Sequence, residues 1–463
     1  MFVTYPSSQA TNEKLSKRFE KAEFTMNEAL KDADDLRAKV DALQRGLDEA
    51  TEQTLTFKAR FTDNQRKIKK LNERIVDLQG NIRVFCRLRP LSEKEKSEIA
   101  DDDESPEMST AIQYLDDGKM LFHGAMYEYD HVFNPDTQQG DVFPEVQSAV
   151  ASAMEGYRVC IFAYGQTGSG KTHTMEGPRN DRGVNFRALE EMFELAESSR
   201  EWDYDFSATV LEVYNETVRD LLVKNVKLAR GEDPPDLPIR VNSKGDVFVE
   251  GLNDCIVEKS DDVEELMQVR PQSKNRAAQS CCILLFALPM CLNHPPLSHS
   301  PLLQLASGNR NTANNNVNTH SSRSHLVLSV KVTGVNKSNG TKVTGKLNLI
   351  DRAGSERLKN TAAEGQRLKE AQSINKSLSA LGDVINALGK EGKGKGHVPY
   401  RNSKLTFLLQ DSLRSSAKVL MFVNINPAPK SAGESICSLN FAARCRAVQL
   451  GKAKKGDITV QAK

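Results

Sequence analysis

Residues 165–172 read Gly-Gln-Thr-Gly-Ser-Gly-Lys-Thr, and they follow directly on the apolar run 159–164. A GxxxxGK[ST] segment after a strand-like run constrains the fold more than any other stretch of this chain. Its glycines let the backbone turn tightly, so that the N–H groups of Gln166, Thr167, Gly168, Ser169 and Gly170 can converge on phosphate oxygens. Lys171 can reach the β and γ phosphates, and the Thr172 hydroxyl can complete a Mg²⁺ shell. The segment therefore predicts strand, phosphate loop and helix in an α/β domain that binds a nucleoside triphosphate. A structural turn is the competing reading, and the preceding strand argues against it.

The first eighty residues are of a different character. Steps of four and three from Leu15 give Leu15, Phe19, Ala22, Met26, Ala29, Ala33, Leu36, Val40, Leu43, Leu47, Ala50, Thr54, Phe57, Phe61, Asn64, Ile68, Leu71, Ile75 and Leu78. Only Thr54 and Asn64 interrupt the apolar seam, and Gly46 lies off it. A 3.5-residue period sustained so long predicts a left-handed coiled coil over 13–80, with 1–12 disordered before it. An amphipathic helix packed on the globular domain is the other reading, but so narrow a stripe suits a partner helix better. Asn64 at the seam favours a parallel homodimer, and a heterodimer remains open.

Gly80-Asn81 ends the helix, and residues 82–88 alternate as a strand. From there to about 450, apolar strands alternate with helical stretches, as in 159–164 before the loop and 346–350 before Asp351. That order predicts a central, mostly parallel or mixed sheet flanked by helices.

With 463 residues there is room for a long helix and one large domain. A formal net charge of +1 excludes a broadly basic surface, so no nucleic-acid partner is expected and any polyanion must be met by a local patch. The eight cysteines (86, 160, 255, 281, 282, 291, 437, 445) show neither metal-ligand spacing nor a disulfide framework, which fits reduced thiols in the cytoplasm. No signal-peptide pattern and no apolar run of membrane length occurs.

Two further stretches complete a nucleotide site. Asp351 ends the apolar strand 347–351 and is placed to hold Mg²⁺ through water. Gly354 and Ser355 follow at once, where a glycine N–H can contact the γ phosphate. Residues 318–325, Asn-Thr-His-Ser-Ser-Arg-Ser-His, concentrate hydroxyls and a guanidinium in a loop that can close over that phosphate.

Together these stretches resemble the kinesin motor domain over most of 81–450. The phosphate loop continues into His173-Thr174-Met175-Glu176-Gly177; 318–325 resembles the family's first switch and 351–356 its second. Val213-Tyr214-Asn215-Glu216, residues 374–382 and residues 398–406 are also similar to kinesin motifs. The seam running through Gly80-Asn81 into 82–87 resembles the neck of C-terminal-motor kinesins, which implies movement toward the microtubule minus end. The resemblance implies ATP and Mg²⁺ as ligands, microtubules as partner, a cytoplasmic, cytoskeletal location with the spindle included, and microtubule-stimulated ATP hydrolysis. It places Arg87, Arg89, Pro90 and His173 around the adenine, Thr172 and Ser322 on Mg²⁺, and Ser321 with Gly354 on the attacking water and γ phosphate. It also pairs Arg323 with Glu356 across the two switches when the site closes. Lys376, Lys393, Lys395, Tyr400, Arg401 and Lys404 would face the acidic track.

Departures from the pattern bear on activity. Arg352 stands where the family has leucine, which puts a guanidinium beside the Mg²⁺ site or forces it out of a buried slot. Arg414 replaces a usual glycine, and Asn185-Phe186 replace an apolar residue and proline. An atypical insert of about 279–307 follows a helix expected at 261–269, and 451–463 reads as a disordered tail. A microtubule-binding dimer without turnover is the alternative function.

Overall fold

The computed structural model describes residues 8–101, 112–222, 236–243, 245–257, 323–357, 366–391, 397–414, 417–448 and 458–460. The expected insert at 279–307, the helix at 261–269, Ser321, Ser322, Lys393 and Lys395 lie outside them.

The chain divides into two units, 1–75 and 76–463. The first holds all but the last four residues of helix α1, Ser8–Gln79, which begins within the stretch expected to lack structure. Its seam residues up to Leu71 are exposed, with Leu15 at 63%, Leu43 at 74% and Leu71 at 60%. The helix ends where expected, because Gly80 adopts φ +86°, a conformation that costs glycine little.

In the second unit, β1 (Ile82–Leu88) and α2 (Glu93–Asp101) precede a small antiparallel sheet of β2 (Ile112–Asp116), β3 (Lys119–Phe122) and β4 (Ala125–Glu128). Then come β5 (His131–Phe133), α3 (Gln139–Val142), α4 (Pro144–Met154), β6 (Arg158–Tyr164), α5 (Lys171–Met175) and α6 (Val184–Ser198). Strands β7 (Trp202–Tyr214), β8 (Thr217–Asp220), β9 (Ile239–Val241), β10 (Val247–Val249), β11 (Cys255–Val257), β12 (His325–Asn336) and β13 (Thr341–Asp351) follow. Helices α7 (Gln366–Glu391) and α8 (Lys404–Leu408), strand β14 (Lys418–Ile425), helix α9 (Ala432–Arg446) and β15 (Ile458–Val460) complete the order.

The main sheet runs β11-β7-β12-β13-β6-β14-β1-β5. It is parallel from β13 to β5 and antiparallel from β11 to β13, the mixed sheet expected. Strand β6 shows why its sequence is apolar throughout. Val159, Ile161 and Ala163 point into the core beneath α4 and α6, whereas Cys160, Phe162 and Tyr164 point into the core beneath α7 and α9. A parallel strand covered on both faces needs apolar residues at every position rather than at alternate ones. Strand β15, within the 451–463 stretch expected to be disordered, pairs with the start of β13.

Candidate nucleotide-binding site

Strands β6 and β13 run parallel and side by side, with Ile350 opposite Phe162, so the phosphate loop and Asp351 emerge at the same sheet edge. Gly165 packs against the Asn424 carbonyl of β14, where any Cβ would collide. Gly170 takes φ +98° as the loop enters α5. Thr172 Oγ1 then donates to Asp351 Oδ2 at 2.8 Å, and Asp351 is buried. Lys171 is also buried, and its Nζ donates to the Gln166 carbonyl at 2.8 Å. Burial holds its pKa below the usual lysine value, opposed by the carboxylates of Asp351 and Glu356.

Lys171 and Thr172 line a cavity of about 790 Å³ together with Arg87, Arg89, Pro90, Thr167, Gly168, Ser169, Gly170 and His173. Arg87 does more than line it. It donates to Gln139 Oε1 at 2.7 Å, Thr174 Oγ1 at 3.2 Å and the Thr137 carbonyl at 3.2 Å, tying β1 to α3 and α5. Burial lowers its pKa to about 10, with Asp181 opposing. Arg89 bonds the Gly168 carbonyl at 2.7 Å and forms a forked pair with Glu95. That hydrogen bond takes Glu95 down to about 2. His173 accepts from Gln139 Nε2 at Nδ1, 3.0 Å away, which leaves its proton on Nε2. Its pKa lies below the ordinary histidine value through burial and the nearby Arg87. Gln139 is thus a residue of the site that the sequence reading missed, since no motif marks it.

The Arg323–Glu356 pair is expected on closure of the site, and in this structure each residue has another partner. Arg323 donates to Glu370 Oε2 on α7 at 2.8 Å, and Tyr214 donates to the other oxygen at 2.7 Å. Glu370 is buried, and both of its carboxylate oxygens accept a hydrogen bond there. Glu356 instead accepts from the Thr167 amide at 3.0 Å and hydroxyl at 2.6 Å, across the mouth of the phosphate loop. Gly354 makes that contact possible, because a Cβ there would meet both Glu356 and Thr167. His325 was also missed as a site residue. Its Nδ1 accepts from the Ala353 amide at 3.1 Å and its Nε2 lies 3.0 Å from Ser377 Oγ, so one ring links β12, the loop after β13, and α7. Ser377 Oγ donates to the Ile374 carbonyl, which assigns the ring proton to Nε2.

Arg352 stays inside its slot rather than being expelled. It is 2% exposed, its guanidinium lies 5.7 Å from the Phe162 ring and 5.4 Å from that of Tyr164, and none of its nitrogens has a hydrogen-bond partner among the described residues. Burial lowers its pKa to about 10, with Tyr164, Cys445 and Cys160 opposing. Arg414 packs its guanidinium on Gly245, whose missing side chain leaves the room.

Of the residues expected to face a track, Lys376 is exposed on α7 and Arg401 covers the Phe407 ring at 5.4 Å. Tyr400 is half-buried in the same turn as Arg401. Lys404 is committed to Asp236 at 3.1 Å. Among the described residues no His, Cys, Asp or Glu cluster could hold a metal by itself, and no helix is long and apolar enough to cross a membrane.

The kinesin motor domain model matches residues 87–282 and 297–448, breaking inside the atypical insert. The kinesin-like protein KIN-14R of Arabidopsis thaliana is 42% identical over 415 residues, covering 89% of this chain and 34% of that protein. Across comparable relatives the chain spans between 30% and 51% of their length. The motor domain of the Kar3-like kinesin from Ashbya gossypii is 34% identical with a TM-score of 0.58, covering 79% of this chain and 99% of that one. The C-terminal motor and motor homology domain of Kar3Vik1, fused to a synthetic heterodimeric coiled coil, is 31% identical with a TM-score of 0.64, covering 94% and 99%.

Proposed function

Because this chain belongs to the kinesin motor-domain family, we propose that it is a microtubule-stimulated ATPase that couples hydrolysis to minus-end-directed movement along, or sliding of, microtubules. The observation that carries the reading is the convergence of Lys171, Thr172 and Asp351 at one sheet edge, with Thr172 and Asp351 hydrogen-bonded at 2.8 Å. Polarity rests on the order of helix and motor, which is that of C-terminal-motor kinesins, and on the similarity to the Kar3Vik1 C-terminal motor.

The residues fit Mg·ATP. A threonine hydroxyl beside a buried carboxylate is an all-oxygen pair suited to Mg²⁺, and the glycine-cleared loop leaves backbone N–H groups for phosphate oxygens. Thr172 and Ser322 would hold the metal directly and Asp351 through water. When bound, the metal would offset charge that develops on the phosphate oxygens. Lys171 turns from the Gln166 carbonyl to the phosphates, while Ser321 and the Gly354 amide orient the attacking water. Arg323 and Glu356 serve as switch residues through the contacts each makes, and α7, bonded to both His325 and Arg323, carries their movement to the track face. That face presents Lys376, Tyr400, Arg401 and Lys404, with Lys393 and Lys395 between them in sequence. The exposed α1 seam is the dimer contact, a parallel coiled coil between two copies or with a related chain.

The test is ATP turnover with and without polymerised tubulin, with Lys171→Ala as blank. Stimulation well above the blank establishes the motor ATPase. Sedimentation with microtubules but no stimulated turnover establishes the second reading, a binding protein without turnover, which the unpartnered guanidinium of Arg352 favours.

A further inference from the structure

Asp351 and Arg352 are consecutive, yet they serve opposite faces of the sheet. Asp351 meets Thr172 on the phosphate-loop side, whereas the Arg352 guanidinium lies by Phe162 and Tyr164 beneath α7 and α9. Arg352 also lines the cavity that Lys171 and Thr172 line. Its three nitrogens have given up water for ring faces, with no carboxylate or carbonyl in exchange among the described residues. Ring faces alone do not replace lost hydration, so a purely structural role is a poor use of this position. A guanidinium keeps its charge at neutral pH even here.

We infer that Arg352 is a resident cation of the nucleotide site, which strengthens polyphosphate binding through space and takes over part of the neutralisation otherwise left to a divalent metal. The inference rests on the reading that the cavity holds a nucleotide. The effect needs no hydrogen bond to the ligand, because a charge in a water-poor slot acts over a longer range than one in solvent. Three consequences separate it from a surface lysine. The gain grows with the charge of the ligand, so a triphosphate benefits more than a diphosphate. It is largest when the metal is removed. It also survives added salt, since a buried charge is poorly screened.

The experiment titrates fluorescent ATP and ADP analogues against the full chain in Mg²⁺ and in EDTA, comparing wild type, Arg352→Leu, Arg352→Met and the Lys171→Ala blank. Leucine and methionine replace the apolar volume, so both variants should fold, and melting curves should show them at least as stable as wild type. The expected result is an affinity loss of about tenfold in EDTA for both variants, smaller in Mg²⁺ and unchanged between about 0.05 and 0.3 M salt. Equal affinities of wild type and Arg352→Leu in EDTA would overturn the inference, and a rise in melting temperature alone would mark Arg352 as a buried charge with no part in binding. Wild type binding no better than Lys171→Ala would instead overturn the nucleotide reading, and this inference with it.

Discussion

At the scale of single residues, one contact that joins the nucleotide edge to α7 runs through His325, whose ionisation is set by burial. His325 is fully enclosed, with Arg352 and Lys171 as the charges facing it, and its pKa lies well below the ordinary histidine value. It works as a neutral ring, accepting at Nδ1 and donating at Nε2. The native state therefore resists protonation that the unfolded chain accepts near pH 6.5, so stability is full above that pH and falls as the pH drops below it. His173 is shifted in the same direction and adds to the slope. We expect urea unfolding of wild type to show stability unchanged between about pH 7 and 8 and then falling by up to ~1.4 kcal/mol per unit for each such histidine below pH 6.5. His325→Gln should start about 1–3 kcal/mol lower at pH 7.5 and show a shallower acid slope. An identical slope in the variant would remove His325 from the account.

At the scale of elements, β12, β13 and the turn after α8 are joined by a polar chain inside the sheet. Ser329 donates to Asn348, Asn348 to Ser412 and Ser412 to Asp411, which also accepts from Lys346 at 3.1 Å. The Asp411 side chain is 2% exposed, whereas Lys346 keeps a quarter of its surface in water. Removing the carboxylate strands a lysine that can partly reach solvent, so Asp411→Ala should cost about 3 kcal/mol, the low end for breaking a buried pair. Chemical denaturation measures this, and a loss below about 0.5 kcal/mol would show that Lys346 had simply turned outward. Nothing in the sequence announces this chain, because Asn348 and Ser329 are isolated polar positions whose partners lie on other elements. The same limit explains the switch contacts. Strands β1 and β6, the end of α1 at Gly80, and the Thr172–Asp351 meeting were legible, since apolar runs, glycines and fixed spacings are local signals. The Arg323–Glu370 contact was not, because it exists only once α7 packs on the sheet. The fate of Arg352 likewise depended on two rings that only the β6–β13 pairing brings beside it.

For the whole molecule, the unit made by α1 stands apart in its energetics. A helix of 72 residues with its apolar positions exposed gains nothing from those positions alone, and helical propensity by itself supports isolated helices poorly. Leu36, Val40, Leu43 and Leu47 are all at least 60% exposed in the single chain, and they fall on one seam of 3.5-residue period. Each leucine fully buried against a second helix contributes ~1.5–3 kcal/mol, so a pair of seam leucines in each of two chains outweighs most of what a marginal dimer has to spare. We therefore expect the chain to sediment as a dimer at micromolar concentration, and Leu36→Asp with Leu43→Asp to yield monomers with much reduced helicity over α1. Because these substitutions lie outside the unit that binds nucleotide, nucleotide affinity should be unaltered, while any gain that depends on two linked motors meeting one track should disappear. A wild-type chain that sediments as a monomer at every concentration tested would mean that a different chain completes the seam, and mixing it with candidate helices of matching period would then restore the helicity.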